Sequence, residues 1–259
     1  MNNKDSDPSP NRDASRCTED ENDYRTSMNK LIMESKGTLF EKIENFTKYL
    51  PRQTFARYLA LYETYKKALH IHGDIMECGV HWGGGLMAYA LMSSVLEPFN
   101  FQRRIVGFDT FTGFTPPAES DKKSTVKQEL MQEGSLNVDS HDDLLRCIEL
   151  YNQNRPVGHI DKVILKKGDA VKTIPQFFEE HPYTIVSLLH LDFDIHEPTK
   201  AALAHILPRM PKGAVIVFDE LNSPVWPGET VALYETIGVK NMKIERFPFE
   251  PSISYAILS

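Results

Sequence analysis

The sequence predicts an α/β fold: a mostly parallel seven-stranded sheet, five parallel strands followed by a C-terminal antiparallel hairpin, behind an N-terminal helical segment. Three observations carry this. From Asp74 onward short apolar runs alternate with helix-period stretches, which implies crossover connections between parallel strands. The runs Ile185-Val186-Ser187-Leu188-Leu189 and Ala214-Val215-Ile216-Val217-Phe218 are almost continuously apolar, as central strands covered on both faces require. The last two extended runs, Met242 to Phe247 and Ile253 to Leu258, follow without a helix between them and read as a hairpin through Pro248-Phe249-Glu250-Pro251-Ser252.

Residues 1–26 are polar and charged, with Pro8 and Pro10 and little to bury, so they read as a disordered tail. Residues 27–72 form a helical segment: Leu31, Ile32, Leu39, Ile43 and Phe46, then Phe55, Tyr58, Leu59, Tyr62 and Tyr65, recur at helical spacing, and Pro51 separates two helices. The aromatic stripe Phe55/Tyr58/Tyr62/Tyr65 serves either as packing or as a lid or homodimer surface. Residues 73–259 hold the main domain. Its strands fall at Asp74 to Val80, Arg104 to Asp109, Lys162 to Lys166, Ile185 to Leu191 and Ala214 to Phe218. Its helices fall at Leu86 to Leu96, about Asp142 to Tyr151, Ala170 to Glu180 and Pro198 to Leu207.

A chain of 259 residues buries one sizeable core, and a formal net charge of -7 argues against a nucleic-acid surface. Cys17, Cys78 and Cys147 show no CxxC spacing and are odd in number, so neither a disulfide framework nor a zinc site is indicated. No apolar run reaches the roughly 18 residues of a membrane-spanning helix, and the first residues lack a signal-peptide core. The expectation is a cytoplasmic protein with no membrane partner.

The stretch Glu77-Cys78-Gly79-Val80-His81-Trp82-Gly83-Gly84-Gly85 joins a strand to a helix. Its glycines admit a ligand close to the backbone, and the helix N-terminus offers free N–H groups to a carboxylate or phosphate. Glu77, two residues before the first glycine, is unhelpful to a pyrophosphate but accepts from a ligand ammonium, a combination suited to the methionine end of S-adenosylmethionine. By itself the turn is equally a device for packing helix on strand. Asp109 ends the second strand 32 residues after Glu77, later than the roughly 20 of a compact dinucleotide unit; the insertion Glu97 to Gln102 accounts for the excess. Its carboxylate is placed to bind ribose hydroxyls. Asp169 in Gly168-Asp169-Ala170 reads either as an adenine contact or as the cap of the following helix.

Carboxylates then concentrate in His190-Leu191-Asp192-Phe193-Asp194-Ile195-His196 and Asp219-Glu220-Leu221-Asn222. In an open parallel sheet these strand ends meet in one crevice. Carboxylates gathered there need a cation, and oxygen ligands select Mg²⁺, Ca²⁺ or Mn²⁺. Strand alternation directs Asp192 and Asp194 to one face. Capping residues and solvated loop charges are the plain alternative.

The blocks MECGVHWGGG, IVGFDTFTGF, KKGDAVKTIP, LHLDFDIHEPTKAAL and PKGAVIVFDELNSPVWPGE resemble, in order and spacing, the macrocin O-methyltransferase family, whose members methylate sugar hydroxyls in natural-product biosynthesis. The resemblance runs from about Glu77 to the C-terminus. It implies a Rossmann-like class I methyltransferase fold, S-adenosylmethionine as methyl donor, Mg²⁺ or another divalent cation, and a small-molecule sugar or vicinal diol as acceptor. It implies Asp192, Asp219 and Glu220 as metal ligands, Asp194 as general base, and Glu77, Gly79, Asp109 and Asp169 at the cofactor, with Cys78, Gly83, Thr110 and Ala170 beside them. His196 stands where the family often has Tyr, and is either an auxiliary base or a packed side chain. His81-Trp82 replaces a commoner aromatic-then-basic pair, which leaves the acceptor open. Trp226 and Glu229 line the acceptor pocket or anchor their loop.

Three other readings compete. His190-x-Asp192 is part of a two-histidine, one-carboxylate iron site of an oxygenase, although the strand-helix alternation opposes it. Glu77 weakens a dehydrogenase reading. A non-catalytic sugar-binding relative of the same fold is opposed by the intact carboxylate set.

Overall fold

The structure is a computed structural model that describes residues 18–125 and 130–259. The chain divides into two compact units, one ending at Phe55 and one running Ala56–Ser259. The first unit holds α1 (Glu19–Glu34) and the short α2 (Leu39–Glu44). α2 opens on a capping box in which Thr38 accepts from the Glu41 amide while the Glu41 carboxylate accepts from the Thr38 amide at 2.6 Å. α1 begins inside the stretch 1–26 whose composition points to disorder, so that boundary moves to Glu19; residues 1–17 lie outside the described residues.

The second unit begins within α3 (Arg52–Ala68), not at Gly73 as the change of sequence pattern indicates. The reason is burial: Ala60, Leu61, Tyr65 and Ala68 belong to the core of the main sheet. Of the aromatic stripe, Tyr65 is buried and Tyr58 packs against the same core, whereas Tyr62 stays exposed.

The sheet contains β1 (Asp74–Cys78), β2 (Ile105–Asp109), β3 (Val163–Lys167), β4 (Val186–Leu191), β5 (Val215–Phe218), β6 (Ile244–Phe247) and β7 (Glu250–Ile257), in the order β3-β2-β1-β4-β5-β7-β6. The first five strands are parallel. β7 pairs antiparallel with β5 and with β6, so the last strand inserts between them. It starts at Glu250, earlier than the pattern indicates, and a register shift at Arg246/Phe247 accommodates the turn.

The sheet is covered on both faces. Ile75, Leu188, Val215 and Val217 face α3, α4 (Gly84–Leu96) and α5 (His141–Gln153). Met76, Cys78, Leu189, Leu191, Ile216 and Phe218 face α6 (Ala170–Glu180), α7 (His196–Ile206) and α8 (Pro227–Thr236). Strand order reverses between β1 and β4, where an open parallel sheet leaves a crevice at its carboxyl edge. Among the described residues no helix is long and apolar enough to cross a membrane.

Candidate active site

Strand register builds the centre of the site. Glu77 of β1 lies opposite His190 of β4, and His190 opposite Val217 of β5. One residue past the ladders, the Asp192 amide donates to the Cys78 carbonyl at 2.7 Å and the Asp219 amide to the Leu191 carbonyl at 3.1 Å. Period-two alternation therefore sets Glu77, His190, Asp192 and Asp219 on the sheet face that α3 covers. Glu77 Oε1 is 3.5 Å from His190 Nδ1, and His190 Nε2 is 3.6 Å from Asp219 Oδ1. From α3, Arg57 donates through Nη1 to Asp219 Oδ1 at 2.5 Å and through Nη2 to Asp192 Oδ2 at 2.7 Å. One potential ligand atom from each of His190, Asp192 and Asp219 falls within 4.8 Å of the others.

The charges here are unequal. Glu77, Asp192 and Asp219 act on both Arg57 and His190, and Asp194, Glu220 and Glu229 interact in turn with one or more of those carboxyl groups or with each other. Burial opposes the charge on His190, yet the flanking Asp219 and Glu77 carboxylates hold its pKa up at about 9. Burial likewise opposes ionisation of Asp219, but Arg57 and His190 outweigh it and bring the carboxyl down to about 2. The others go the opposite way. Burial and the Asp219 charge push Asp192 well above the usual carboxylate range, and burial with Asp192 and Glu220 does the same to Asp194. Glu220 rises to about 8 through burial and Asp219, and Glu229 is raised by the same two causes. Among the described residues, Glu77 Oε2, both His190 ring nitrogens and Glu229 Oε2 are buried with no hydrogen-bond partner. An acidic crevice with raised carboxyl groups and unpaired buried atoms has the chemistry of a cation site and of a receptor for an ammonium.

The glycine-rich turn forms the neighbouring wall. Gly79 has φ +96°, and a Cβ there would stand 1.9 Å from the Asp192 carbonyl oxygen, so only glycine lets β1 end this close to the chain leaving β4. Gly83, at φ +84°, caps α4. Asp109 spends its carboxylate on this turn: Oδ2 accepts from the Val80 and His81 amides at 2.7 and 2.8 Å, and Oδ1 from the Phe111 amide at 2.6 Å. Asp169 caps α6, accepting from the Val171 amide at 3.0 Å. Thr110 folds onto its own loop, donating to the Gly113 carbonyl at 2.6 Å. The Cys78 and Ala170 side chains are buried in the core, which leaves only their backbones to meet a ligand. His81, Phe111, Asp194 and Asn222, which follow β1, β2, β4 and β5, all have positive φ. Backbone strain thus collects along the carboxyl edge of the sheet, where functional sites keep it.

Three of the expected residues are placed as follows. Glu220 is absent from the close group of potential ligand atoms, and His190 takes the third place. Asp194 has φ +63°, so strand alternation does not govern its direction; its carboxyl nonetheless lies close enough to Asp192 and Glu220 to be raised by them. His196 gives both ring nitrogens to other carboxylates, Nδ1 to Glu197 and Nε2 to Glu235, both at 3.0 Å, and so ties α7 to α8. Trp226 is an anchor, buried with Met131 and Ile195 and edge-on to Phe114 at 5.7 Å. Glu229 accepts from the Glu220 amide at 3.1 Å. The sequence reading missed Arg57, because nothing local in Thr54-Phe55-Ala56-Arg57-Tyr58 marks it; the signal was only a cation on the helix that precedes an acidic crevice.

The model of the macrocin-O-methyltransferase (TylF) family matches residues 60–235. The crystal structure of CalS11, a calicheamicin methyltransferase, superposes with a TM-score of 0.88 at 32% identity, covering 93% of each chain. Demethyldecarbamoylnovobiocin O-methyltransferase of Streptomyces niveus is 24% identical over 156 residues, 58% of this chain and 53% of that protein. The 8-demethyl-8-(2,3-dimethoxy-alpha-L-rhamnosyl)-tetracenomycin-C 4'-O-methyltransferase of Streptomyces olivaceus is 26% identical over 157 residues, 58% of this chain and 53% of that one. The chain spans about half the length of these two curated relatives. Strand order, the antiparallel β7 and the superposition define a Rossmann-like class I methyltransferase fold. The chain belongs to the macrocin-O-methyltransferase (TylF) family.

Proposed function

We propose that the protein transfers a methyl group from S-adenosylmethionine to a hydroxyl of a sugar or another vicinal diol, with a divalent cation, Mg²⁺ in the first instance, held by Asp192 and Asp219. His190 and Glu220 complete its surroundings. The observation that carries this reading is the surplus of carboxyl groups at the ends of β4 and β5. Burial and the neighbouring Asp192 and Glu220 charges raise the Asp194 pKa, and added positive charge in the crevice would act in the opposite sense and favour the carboxylate that a base requires. A cation held by Asp192 and Asp219 would supply Lewis acidity to an acceptor hydroxyl and help orient it toward the donor.

This chain's residues divide the remaining work. Glu77, buried and half-unpaired, receives the ammonium of the donor, while the turn from Gly79 to Gly83 passes its methionine end. Asp109 keeps acceptor capacity for the ribose hydroxyls beside its three backbone bonds, and Asp169 with Ala170 borders the adenine. Asp194 takes the hydroxyl proton. The oxygen forms a bond to the methyl carbon, the carbon–sulfur bond gives its electron pair to sulfur, and S-adenosylhomocysteine and a methyl ether leave. A rhamnosyl unit in the name of one relative supports a sugar as acceptor. The two-histidine oxygenase reading has no second histidine beside His190 among the described residues.

Asp194→Asn tests the assignment. The variant is expected to keep S-adenosylmethionine affinity by calorimetry and to lose about 10²-fold or more in turnover; unchanged turnover removes Asp194 from the base role. EDTA is expected to abolish turnover and added Mg²⁺ to restore it, and activity indifferent to EDTA removes the cation.

A further inference from the structure

Arg57 binds the two carboxylates to which the proposed function assigns the cation. Its guanidinium spans Asp219 Oδ1 at 2.5 Å and Asp192 Oδ2 at 2.7 Å, a planar fork laid across two separate strand ends. Those residues are also two of the three that bring potential ligand atoms within 4.8 Å. A divalent ion on both carboxylates would draw on the same negative charge as the guanidinium and face a like charge close by, so each weakens the other's hold on the site. The backbone of Arg57 is held, because Ala56, Ala60 and Leu61 on the same helix are buried. Its side chain is 33% exposed, which leaves a solvent side toward which the guanidinium could withdraw. Asp219, 8% exposed with the guanidinium in place, would lose its shortest ion pair on that withdrawal, and a replacement cation would restore the lost charge.

We propose that Arg57 is a resident counter-ion that competes with the divalent cation for Asp192 and Asp219, and thereby sets how tightly the cation binds. The inference rests on the cation-assisted reading of the site. Arg57 keeps the acidic crevice folded while it is empty and yields as the cation enters. It also imposes selectivity: only an ion of sufficient charge displaces the fork, so monovalent ions are excluded.

The test is Mn²⁺ titration of the full chain by calorimetry and electron paramagnetic resonance, for the natural sequence, Arg57→Met and Arg57→Lys, with melting curves in EDTA and in Mn²⁺. Arg57→Met is expected to bind Mn²⁺ about tenfold or more tightly than the natural chain, to melt lower in EDTA, and to regain the difference with Mn²⁺. Arg57→Lys, which keeps the charge but loses the fork, is expected to fall between them and serves alone if the Met variant does not fold. Equal or weaker Mn²⁺ binding by the variants, with clear binding by the natural chain, overturns the competition and leaves the cation reading standing. Binding by the variants alone overturns the proposal, because Arg57 then blocks the site instead of yielding to the cation. Binding by none overturns both.

Discussion

Gly79 decides whether the crevice exists, because its missing Cβ lets the Asp192 carbonyl approach to the place a side chain would fill, 1.9 Å from the ideal Cβ position. Gly79→Ala meets backbone there and a φ of +96°, so neither neighbour can yield without parting β1 from β4. The expected cost is about 3 kcal/mol or more, read as a lower urea midpoint; a midpoint within error of the natural chain would refute it. Asp194 occupies a left-handed conformation that Asn also tolerates, which is why Asp194→Asn changes the chemistry without straining the turn. The carboxylates were legible in the sequence because acidic residues just past two apolar strands must lie at the carboxyl edge. Arg57 and the role of His190 were not, since the first depends on where α3 lies over the sheet and the second on a register that pairs it with Glu77. His196 resembled a base by its place in the sequence, but which way a ring faces at a helix start depends on α8, 39 residues away.

Between α3 and β1 the connection is fastened by one side chain. Arg103, 5% exposed, donates to the carbonyls of Leu69, Ile71 and Gly73 at 3.1, 2.9 and 2.9 Å, pairs with Glu97 at 2.9 Å and reaches Ser187 on β4. Arg103→Met removes the one guanidinium shared by these part-buried carbonyls and the Glu97 carboxylate, and a loss of about 3 kcal/mol in urea unfolding is expected. A loss below about 0.5 kcal/mol would show that water replaces the guanidinium. At the start of α6, Asp169→Ala is expected to cost about 1 kcal/mol by removing the cap, whereas Asp169→Asn keeps it. If Asn restores stability but not donor affinity, Asp169 has a second duty at the adenine. The strands and most helices were legible because burial on both faces writes apolar runs. The insertion of β7 between β5 and β6 was not, since a hairpin pattern does not say which of its strands meets the sheet. The start of the second unit within α3 was hidden likewise, because helical periodicity continues across the boundary.

For the protein as a whole, stability depends on pH through groups away from the crevice as well. Burial brings the Lys162 ammonium down to about 8, against 10.5 when free, with Glu97 opposing the shift. A depressed lysine binds fewer protons folded than unfolded, so its destabilisation is complete below about pH 8 and is relieved as pH rises toward 10.5. The urea midpoint of the natural chain is therefore expected to rise relative to Lys162→Met between pH 8 and pH 10, and a constant difference would contradict this. The same dependence of charge on surroundings governs the crevice, where burial and mutual repulsion raise the pKa of Asp192, Asp194 and Glu220 at two strand ends while Arg57 and His190 lower that of Asp219. The most direct measurement is a crystal structure with S-adenosylhomocysteine and Mn²⁺, using the anomalous signal of the metal. The account predicts an anomalous peak bound by Asp192 and Asp219, with Asp194 beside it and Arg57 withdrawn. No peak there, with Arg57 still bridging both carboxylates in a protein that turns over, would contradict it.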